Sequence, residues 1–278
     1  MLRQSAGKKL RYESSRMKSM SIQERLKPAF RAAFKHLLGC VLIAGLTAWI
    51  VFGVWYPAPY GELAGGFTLF GIVVSVDVIC GPLLTLVVFD RLKPKSELVR
   101  DISIIIVLQL SALVYGIYSV AQARPVFLAY EGNRFRVVSS ADVNPADLSK
   151  APLEFRSFSY TGPRLVGVQL SRPTDPDFKA SVMLSMEGLH PSFRPERWVP
   201  YDTLLSNLQE AMQPLEKLAS RYPEINEKIQ KIMRSSGLGM DELGYLPLEA
   251  AKASSADWVI ILDRKTGKPH GFFAVDGW

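Results

Sequence analysis

The chain has 278 residues, 48% of them hydrophobic, and its 33 Lys and Arg outnumber 26 Asp and Glu to give a net charge of +7. The whole positive excess lies in residues 1–101, because residues 102–278 hold 19 basic and 19 acidic side chains. A nucleic-acid-binding domain needs a basic stripe with stacking aromatic residues or a recognisable motif, and neither is visible. We therefore predict no nucleic-acid partner.

Residues 1–36 form a basic leader, in which ten Lys and Arg accompany only two acidic residues. Residues 22–38 repeat apolar side chains at helical spacing, at Ile22, Leu26, Phe30, Phe34 and Leu37. Two interpretations stay open. The segment lies along the inner membrane surface and contacts anionic lipid, or it is a solvated leader whose charges set the topology.

Three long apolar runs follow, at residues 37–56, 68–89 and 102–121. Each has about 20 residues, which at ~1.5 Å per residue matches the ~30 Å hydrocarbon core of a bilayer. Buried helices of a soluble protein rarely reach this length with so few charges. The sequence therefore predicts a membrane protein with a three-helix transmembrane domain over residues 37–121.

The distribution of basic residues predicts the orientation of the chain. The loop at residues 90–101 carries Arg91, Lys93, Lys95 and Arg100, whereas the loop between the first two runs has no basic residue. Since cytoplasmic loops are enriched in Lys and Arg, the N-terminus and the second loop are expected in the cytoplasm. Residues 122–278 then form a periplasmic domain of a bacterial inner-membrane protein.

The second apolar run contains a carboxylate and a helix breaker, Asp77 and Pro82, five positions apart. An ionised carboxylate near the bilayer centre costs roughly 2.5–3.5 kcal/mol on insertion scales, so Asp77 is expected to be paired or protonated. Pro82 cannot donate a hydrogen bond to the carbonyl of Val78, which leaves an acceptor without its helical donor beside Asp77.

Two roles for Asp77 stay open. In the structural role it is neutral and hydrogen-bonds across the bundle, with Tyr115 at a similar depth as a donor and Gln109 deeper toward the cytoplasm. In the functional role it faces outward along a groove and meets a cationic or polar group of another membrane segment. The candidate partner-binding residues are Asp77, Pro82, Gln109 and Tyr115.

The pattern changes after residue 121 to short strands and helices. Two hairpins are predicted, one from PVFLAY and RFRVVS and one from DWVIILD and GFFAV at the C-terminus. PRLVGVQLS is a further strand, and helices are predicted at residues 176–188, 203–218 and 222–234. These elements predict a small α+β domain with antiparallel hairpins over residues 122–278.

The periplasmic domain lacks the residues that common catalytic sites require. It has two histidines, His190 and His270, and no cysteine, which is too few for a histidine-based zinc site. It also lacks a G-x-S-x-G nucleophile elbow and a phosphate-binding G-x-x-x-x-G-K-[ST] loop. We predict no enzymatic activity, no metal and no cofactor.

Three blocks of the chain carry a family resemblance: VWYPAPYGELAGG, VDVICGPLLTLVVFD and LQLSALVYGIYSVAQARPVFLAY. With them, residues 34–130 resemble the type IV pilin accessory proteins of the TfpX/TfpZ family, which are inner-membrane proteins associated with pilus assembly. The resemblance implies that the partner is a type IV pilin, through its membrane helix and its periplasmic head, together with inner-membrane lipid. A membrane-anchored periplasmic sensor or ligand-binding module is the alternative, although the chain has little cytoplasmic sequence that could transmit a signal.

Overall fold

A computed structural model describes residues 22–90, 93–250 and 257–278. Most of the predicted basic leader, residues 1–21, and Arg91 of the predicted cytoplasmic loop lie outside the described residues. The chain divides into two compact units, which we call the helix unit (residues to Thr47, and Gly71–Ile117) and the sheet unit (Ala48–Phe70 and Tyr118–Trp278).

Long apolar helices dominate the first part of the chain. Helix α1 covers Ile22–Ile50 and continues directly into a π-helical turn at Val51–Trp55, whereas α3 covers Gly66–Val88 and α4 covers Lys95–Gln122. Among the described residues, these three helices are long and apolar enough to cross a membrane. They confirm the predicted helices, although α1 and α4 begin earlier than residues 37 and 102.

The long helices expose the side chains that a water-soluble bundle would bury. Leu42, Trp49 and Val87 are each more than 70% exposed. Close approach between α3 and α4 depends on a small residue, because a Cβ on Gly116 would lie 2.3 Å from the Val73 side chain. The contact between α3 and α4 therefore uses a small residue, while large apolar residues of the long helices face outward, as a bilayer environment favours.

The segment between α1 and α3 is buried within the sheet unit. It contains the short helix α2, Tyr60–Leu63, in which Leu63 is fully buried. The Tyr56 hydroxyl donates to the carbonyl of Val120 at 2.8 Å, and the Tyr60 ring lies 5.6 Å from that of Phe272. Burial raises the pKa of Tyr60 to about 12.

The rest of the sheet unit is built on one sheet of the order β4-β3-β1-β2-β6-β7-β8, with β5 paired to β6. The strands within the described residues are β1 Pro125–Tyr130, β2 Phe135–Ser139, β3 Arg164–Val168, β4 Trp198–Val199, β5 Gln213–Pro214, β6 Leu243–Glu249, β7 Trp258–Asp263 and β8 Pro269–Phe273. The helices are α5 Phe178–Met186, α6 Leu205–Ala211, α7 Leu215–Arg221 and α8 Asn226–Ser236.

The expectation of a purely antiparallel arrangement is corrected, because the sheet is mixed. Both predicted hairpins, β1–β2 and β7–β8, are antiparallel as expected. They are joined through β6, which is parallel to β2, and β1 is also parallel to β3. The long connections that contain the helices allow these parallel pairs, which a tight turn cannot form.

Two cores stabilise the sheet unit. The first surrounds β1 and β3, where Phe127 and Trp198 lie with ring centroids 4.5 Å apart. The second packs α7 and α8 against β6 and β7 through fully buried residues that include Leu215, Ile229 and Ile261. Burying side chains of this size stabilises the fold by about 1.5–3 kcal/mol each.

Candidate partner-binding groove

A groove of about 240 Å³ lies between α1, α3 and α4 in the helix unit, and we call it the Asp77 groove. Gly39, Cys40 and Ala44 of α1 form a small-residue wall, and apolar side chains of α4 form the other wall. The lining residues Ile106 and Leu110 are 43% and 49% exposed. The groove is therefore open along the outer surface of the unit.

Asp77 is a partly exposed lining residue of this groove and brings a carboxyl group into largely apolar surroundings. The structure thus places Asp77 where a second helix packed along the groove would meet it. The structural and the functional role of Asp77 both stay predictions. A carboxyl group in such surroundings favours a partner that brings a cation or a hydrogen-bond donor.

Gln109 connects α4 to both other helices. Its Nε2 donates to the carbonyl of Asp77 at 3.0 Å and lies 3.7 Å from the Sγ of Cys40. The amide fits there because α3 has a glycine opposite it: a Cβ on Gly81 would lie 2.0 Å from Nε2. Gln109 Oε1 is buried and has no hydrogen-bond partner among the described residues.

Pro82 and Tyr115 complete the set of residues predicted from the sequence. Helix α3 runs unbroken through Pro82, and the Gln109 amide binds the carbonyl next to that of Val78. Tyr115 is 72% exposed and is not among the residues that line the groove. It lies six positions beyond Gln109, about 9 Å further along α4. The structure therefore brings Asp77 and Gln109 together in the groove, whereas neither Pro82 nor Tyr115 is among the residues that line it.

A second polar pair, which the sequence did not reveal, involves the same groove. His36 Nδ1 lies 2.6 Å from the hydroxyl of Thr85, and His36 lines the groove while Thr85 is buried. The signal in the sequence was the four-residue spacing of His36, Cys40 and Ala44, which places all three on one helix face. A spacing on one helix does not reveal which neighbour that face contacts.

The sheet unit has an exposed apolar surface on helix α5. Val182, Met183 and Met186 are 42%, 60% and 80% exposed, and we call these three residues the α5 face. Large apolar side chains grouped on one helix commonly mark a protein interaction site, and methionine adapts to partners of different shape. The sequence predicts the helix but assigns no role to its surface.

A partly buried ion-pair network borders the α5 face. Glu131 accepts from Arg136 Nε at 3.1 Å and from the backbone N–H of Ser192 at 3.0 Å. Arg134 and Arg136 both pair with Glu249, which ties β2 to β6. Burial and the nearby Arg136 guanidinium hold the pKa of His190 below its ordinary value. Because the charges are paired with one another, the network stabilises the strand ends and offers no free charge to a substrate.

Within the described ranges, no three His, Cys, Asp or Glu side chains come together in a group that could hold a metal ion. The absence of a cofactor and of enzymatic activity stays a prediction. What the described arrangement offers is recognition, through an apolar groove with one carboxyl group and through an apolar helix face.

Comparison with known proteins gives matches over most of the chain. The family described as fimbrial assembly protein FimB matches residues 24–65. The fimbrial assembly proteins of serogroups I and E1 from Dichelobacter nodosus are each 35% identical over 233 residues, which is 82% of this chain and 88% of the relative. The protein of serogroups C1 and C2 from the same organism is 40% identical over 116 residues, which is 42% of this chain. No solved structure matches.

Proposed function

Because this chain belongs to the family of fimbrial assembly proteins, we propose that it is an inner-membrane accessory protein that assists type IV pilus assembly by binding the pilin. This assignment corresponds to the role that the TfpX/TfpZ resemblance implies. Its most direct structural support is the Asp77 groove, an apolar groove between the three long helices that contains a single carboxyl group.

The length and surface of the helices support membrane insertion. Each of the three long helices exceeds the ~20 residues that a bilayer crossing requires and exposes large apolar side chains. Basic residues at the N-terminus and around residues 91–100 favour a cytoplasmic location for both. The sheet unit beyond α4 then lies in the periplasm, where the heads of membrane-bound pilin subunits also lie.

The proposed occupant of the Asp77 groove is the apolar N-terminal helix of a pilin subunit before assembly. Small residues on α1 allow close approach of another helix, as helix packing in lipid requires. Asp77 then meets a polar or cationic group of the pilin helix, for which its free N-terminal amine is the candidate. Pairing compensates for the cost of a carboxylate in lipid, roughly 2.5–3.5 kcal/mol on insertion scales.

The periplasmic head of the pilin would bind the α5 face of the sheet unit. A protein partner suits this face better than an anionic lipid surface does, because α5 itself carries one basic residue, Lys179. Its exposed methionines provide an adaptable apolar contact. The accessory protein would thus contact both parts of a subunit.

Site-specific photo-crosslinking in membranes tests the groove. A crosslinking residue is placed at Leu110, which lines the groove, or at Leu108, which is 61% exposed on the same helix and does not line it. We expect a crosslink to the N-terminal region of the co-expressed pilin from Leu110 and little from Leu108. Equal crosslinking at both positions, or none, contradicts the proposed site.

Substitution of Asp77 tests its role within the groove. We expect Asp77→Leu to accumulate in the membrane and to lower piliation and the Leu110 crosslink by at least tenfold, about the 1.4 kcal/mol of one lost polar contact. Asp77→Asn keeps the ability to form hydrogen bonds but removes the negative charge. It should therefore weaken binding strongly only if the partner group is a cation. Unchanged piliation in an Asp77→Leu variant that accumulates normally removes Asp77 from the mechanism.

A further inference from the structure

The first long helix extends well beyond what a bilayer crossing needs. α1 has 29 residues and the π-helical turn adds five, so the continuous helix is about 51 Å long at ~1.5 Å per residue. The hydrocarbon core takes about 30 Å of this length. Residues 22–38 belong to the same helix as the apolar run and do not form a separate one, although Pro28 lies inside this segment.

The emerging part of α1 has three distinct faces. Lys27, Arg31 and Lys35 are exposed and follow one another at four-residue spacing. Leu26, Phe30 and Phe34 form a second exposed stripe, with exposed fractions of 48%, 65% and 52%. Because each basic residue directly follows an apolar one, the two stripes lie side by side along the helix.

The third face of this segment is buried. Ala29 and Ala33 are 2% and 8% exposed, so the helix is packed on that side. At about 100° per residue, the basic stripe points away from the buried alanines, and the apolar stripe lies between the two. The basic side chains are therefore directed outward while the aromatic rings lie beside them.

The height of these residues matches the lipid headgroups. With Trp55 at the far edge of the hydrocarbon core, the near edge falls close to residue 36, so Arg31 and Lys35 lie in the headgroup layer and Lys27 just outside it. On the same scale, Phe34 lies at the edge of the hydrocarbon core and Phe30 beside the headgroups. By contrast, Lys93 of the other basic loop is paired with Asp101 at 2.8 Å.

We propose that the two stripes form a binding site for an anionic phospholipid of the cytoplasmic leaflet. The headgroup phosphate binds the stripe of Lys27, Arg31 and Lys35, the upper part of the acyl chains packs on Phe34, and Phe30 lies beside the headgroup. The charge complementarity and the adjacent apolar surface select a lipid over a free anion. This inference requires the membrane insertion proposed above but does not depend on pilin binding.

Lipid retention during purification tests the site. The full-length protein is equilibrated in mixed micelles of phosphatidylglycerol and phosphatidylcholine, washed, and analysed for retained lipid by mass spectrometry. We expect an excess of phosphatidylglycerol on the native protein and at least a fivefold loss in the variant K27Q/R31Q/K35Q, since each basic residue near an anionic surface contributes about fivefold. The charge-matched control K228Q/K231Q/K265Q, on exposed residues of the sheet unit, should retain the native amount.

Equal phosphatidylglycerol retention by the native protein and the triple variant overturns the proposal, as does an equal loss in the control. If the triple variant does not accumulate, the test uses the native protein alone. Its excess of phosphatidylglycerol must then fall at high salt, because salt screens the attraction between the basic residues and the phosphate. Phe30→Ala/Phe34→Ala must also lower retention; no change there would indicate a site for a free anion. The Leu110 crosslink to pilin is measured in the same variants, so failure of lipid binding is distinguishable from failure of pilin binding.

Discussion

At the scale of single residues, the close contact between Gly81 and Gln109 packs α3 against α4 beside the Asp77 groove. The amide of Gln109 binds the carbonyl of Asp77 only because α3 has no side chain at position 81. The three atoms nearest to the position that a Cβ would take on Gly81 all belong to the Gln109 side chain. The two residues are therefore expected to be energetically coupled.

We predict that Gly81→Ala destabilises the protein by about 1–3 kcal/mol, the usual cost of inserting a methyl group into a packed interior. Gln109→Ala removes the clashing atoms, so the double variant should recover much of that loss. Thermal unfolding of the four proteins in detergent measures the coupling. Additive effects of the two substitutions would show that the packing at this point differs from the structure described.

The sequence was sufficient to identify part of this site. Asp77 and Pro82 stood out because both are unfavourable in an apolar helix, and Gln109 because it is polar in another. His36 and Thr85 could not be identified, because neither is unusual at its own position and only the rotation of α1 against α3 pairs them. Tyr115 was selected by depth along the helix, which does not determine the direction of a side chain.

At the scale of elements, α5 combines an ordinary helical sequence with an unusual surface. Its exposed methionines contribute little to the stability of the fold, so their substitution should affect binding and leave folding intact. We predict that Met183→Ser/Met186→Ser lowers the affinity for the soluble pilin head by about tenfold, with a thermal midpoint close to that of the native protein.

Leu153→Ser is the matched control for the α5 variant, since Leu153 is 82% exposed in a different part of the sheet unit. Binding of the pilin head to the detergent-solubilised protein can be followed by fluorescence anisotropy. Full affinity in the methionine variant would exclude the α5 face as the head-binding surface, whereas equal losses in both variants would indicate a nonspecific apolar effect.

Two elements show why the sequence did not determine the whole fold. Residues 203–218 were predicted as one helix, but the structure divides them at β5, because Pro214 lacks the N–H that a helix interior requires. β6 was not predicted, since Gly244 and Pro247 are both unfavourable in a strand. On one side of β6, β5 pairs with Gly244 and Tyr245, and β2 pairs from Leu248 onward. Pro247 lies between these two pairings, so its missing N–H breaks no hydrogen bond on that side of the strand.

At the scale of the whole molecule, the stability of the sheet unit should depend on pH through His190. Burial and Arg136 lower the pKa of His190 in the folded state, so the unfolded chain, with a histidine pKa of about 6.5, takes up a proton first as the pH falls. The contribution to stability is present above about pH 6.5 and is lost as the pH falls through the folded pKa.

We therefore predict that the thermal midpoint of the detergent-solubilised protein falls between about pH 7 and pH 5, and that His190→Gln makes this dependence shallower. The same substitution at His270 in β8 is the control. The carboxyl of Asp276, whose pKa is lowered by the Trp278 N–H and by Arg221, loses its contribution only below about pH 4. An equally steep dependence in His190→Gln would assign the effect to other groups.

The parallel pair of β2 and β6 also constrains how a growing chain reaches its native state. Phe135 pairs with Leu248, more than a hundred residues later, so a nascent chain leaving the ribosome carries β2 with one open edge until β6 is made. Contacts of such long separation slow folding, and an open strand edge attracts other strands in the meantime. β6 thus completes the edge of β2, and a chain that stops before β6 would be exposed to aggregation and proteolysis.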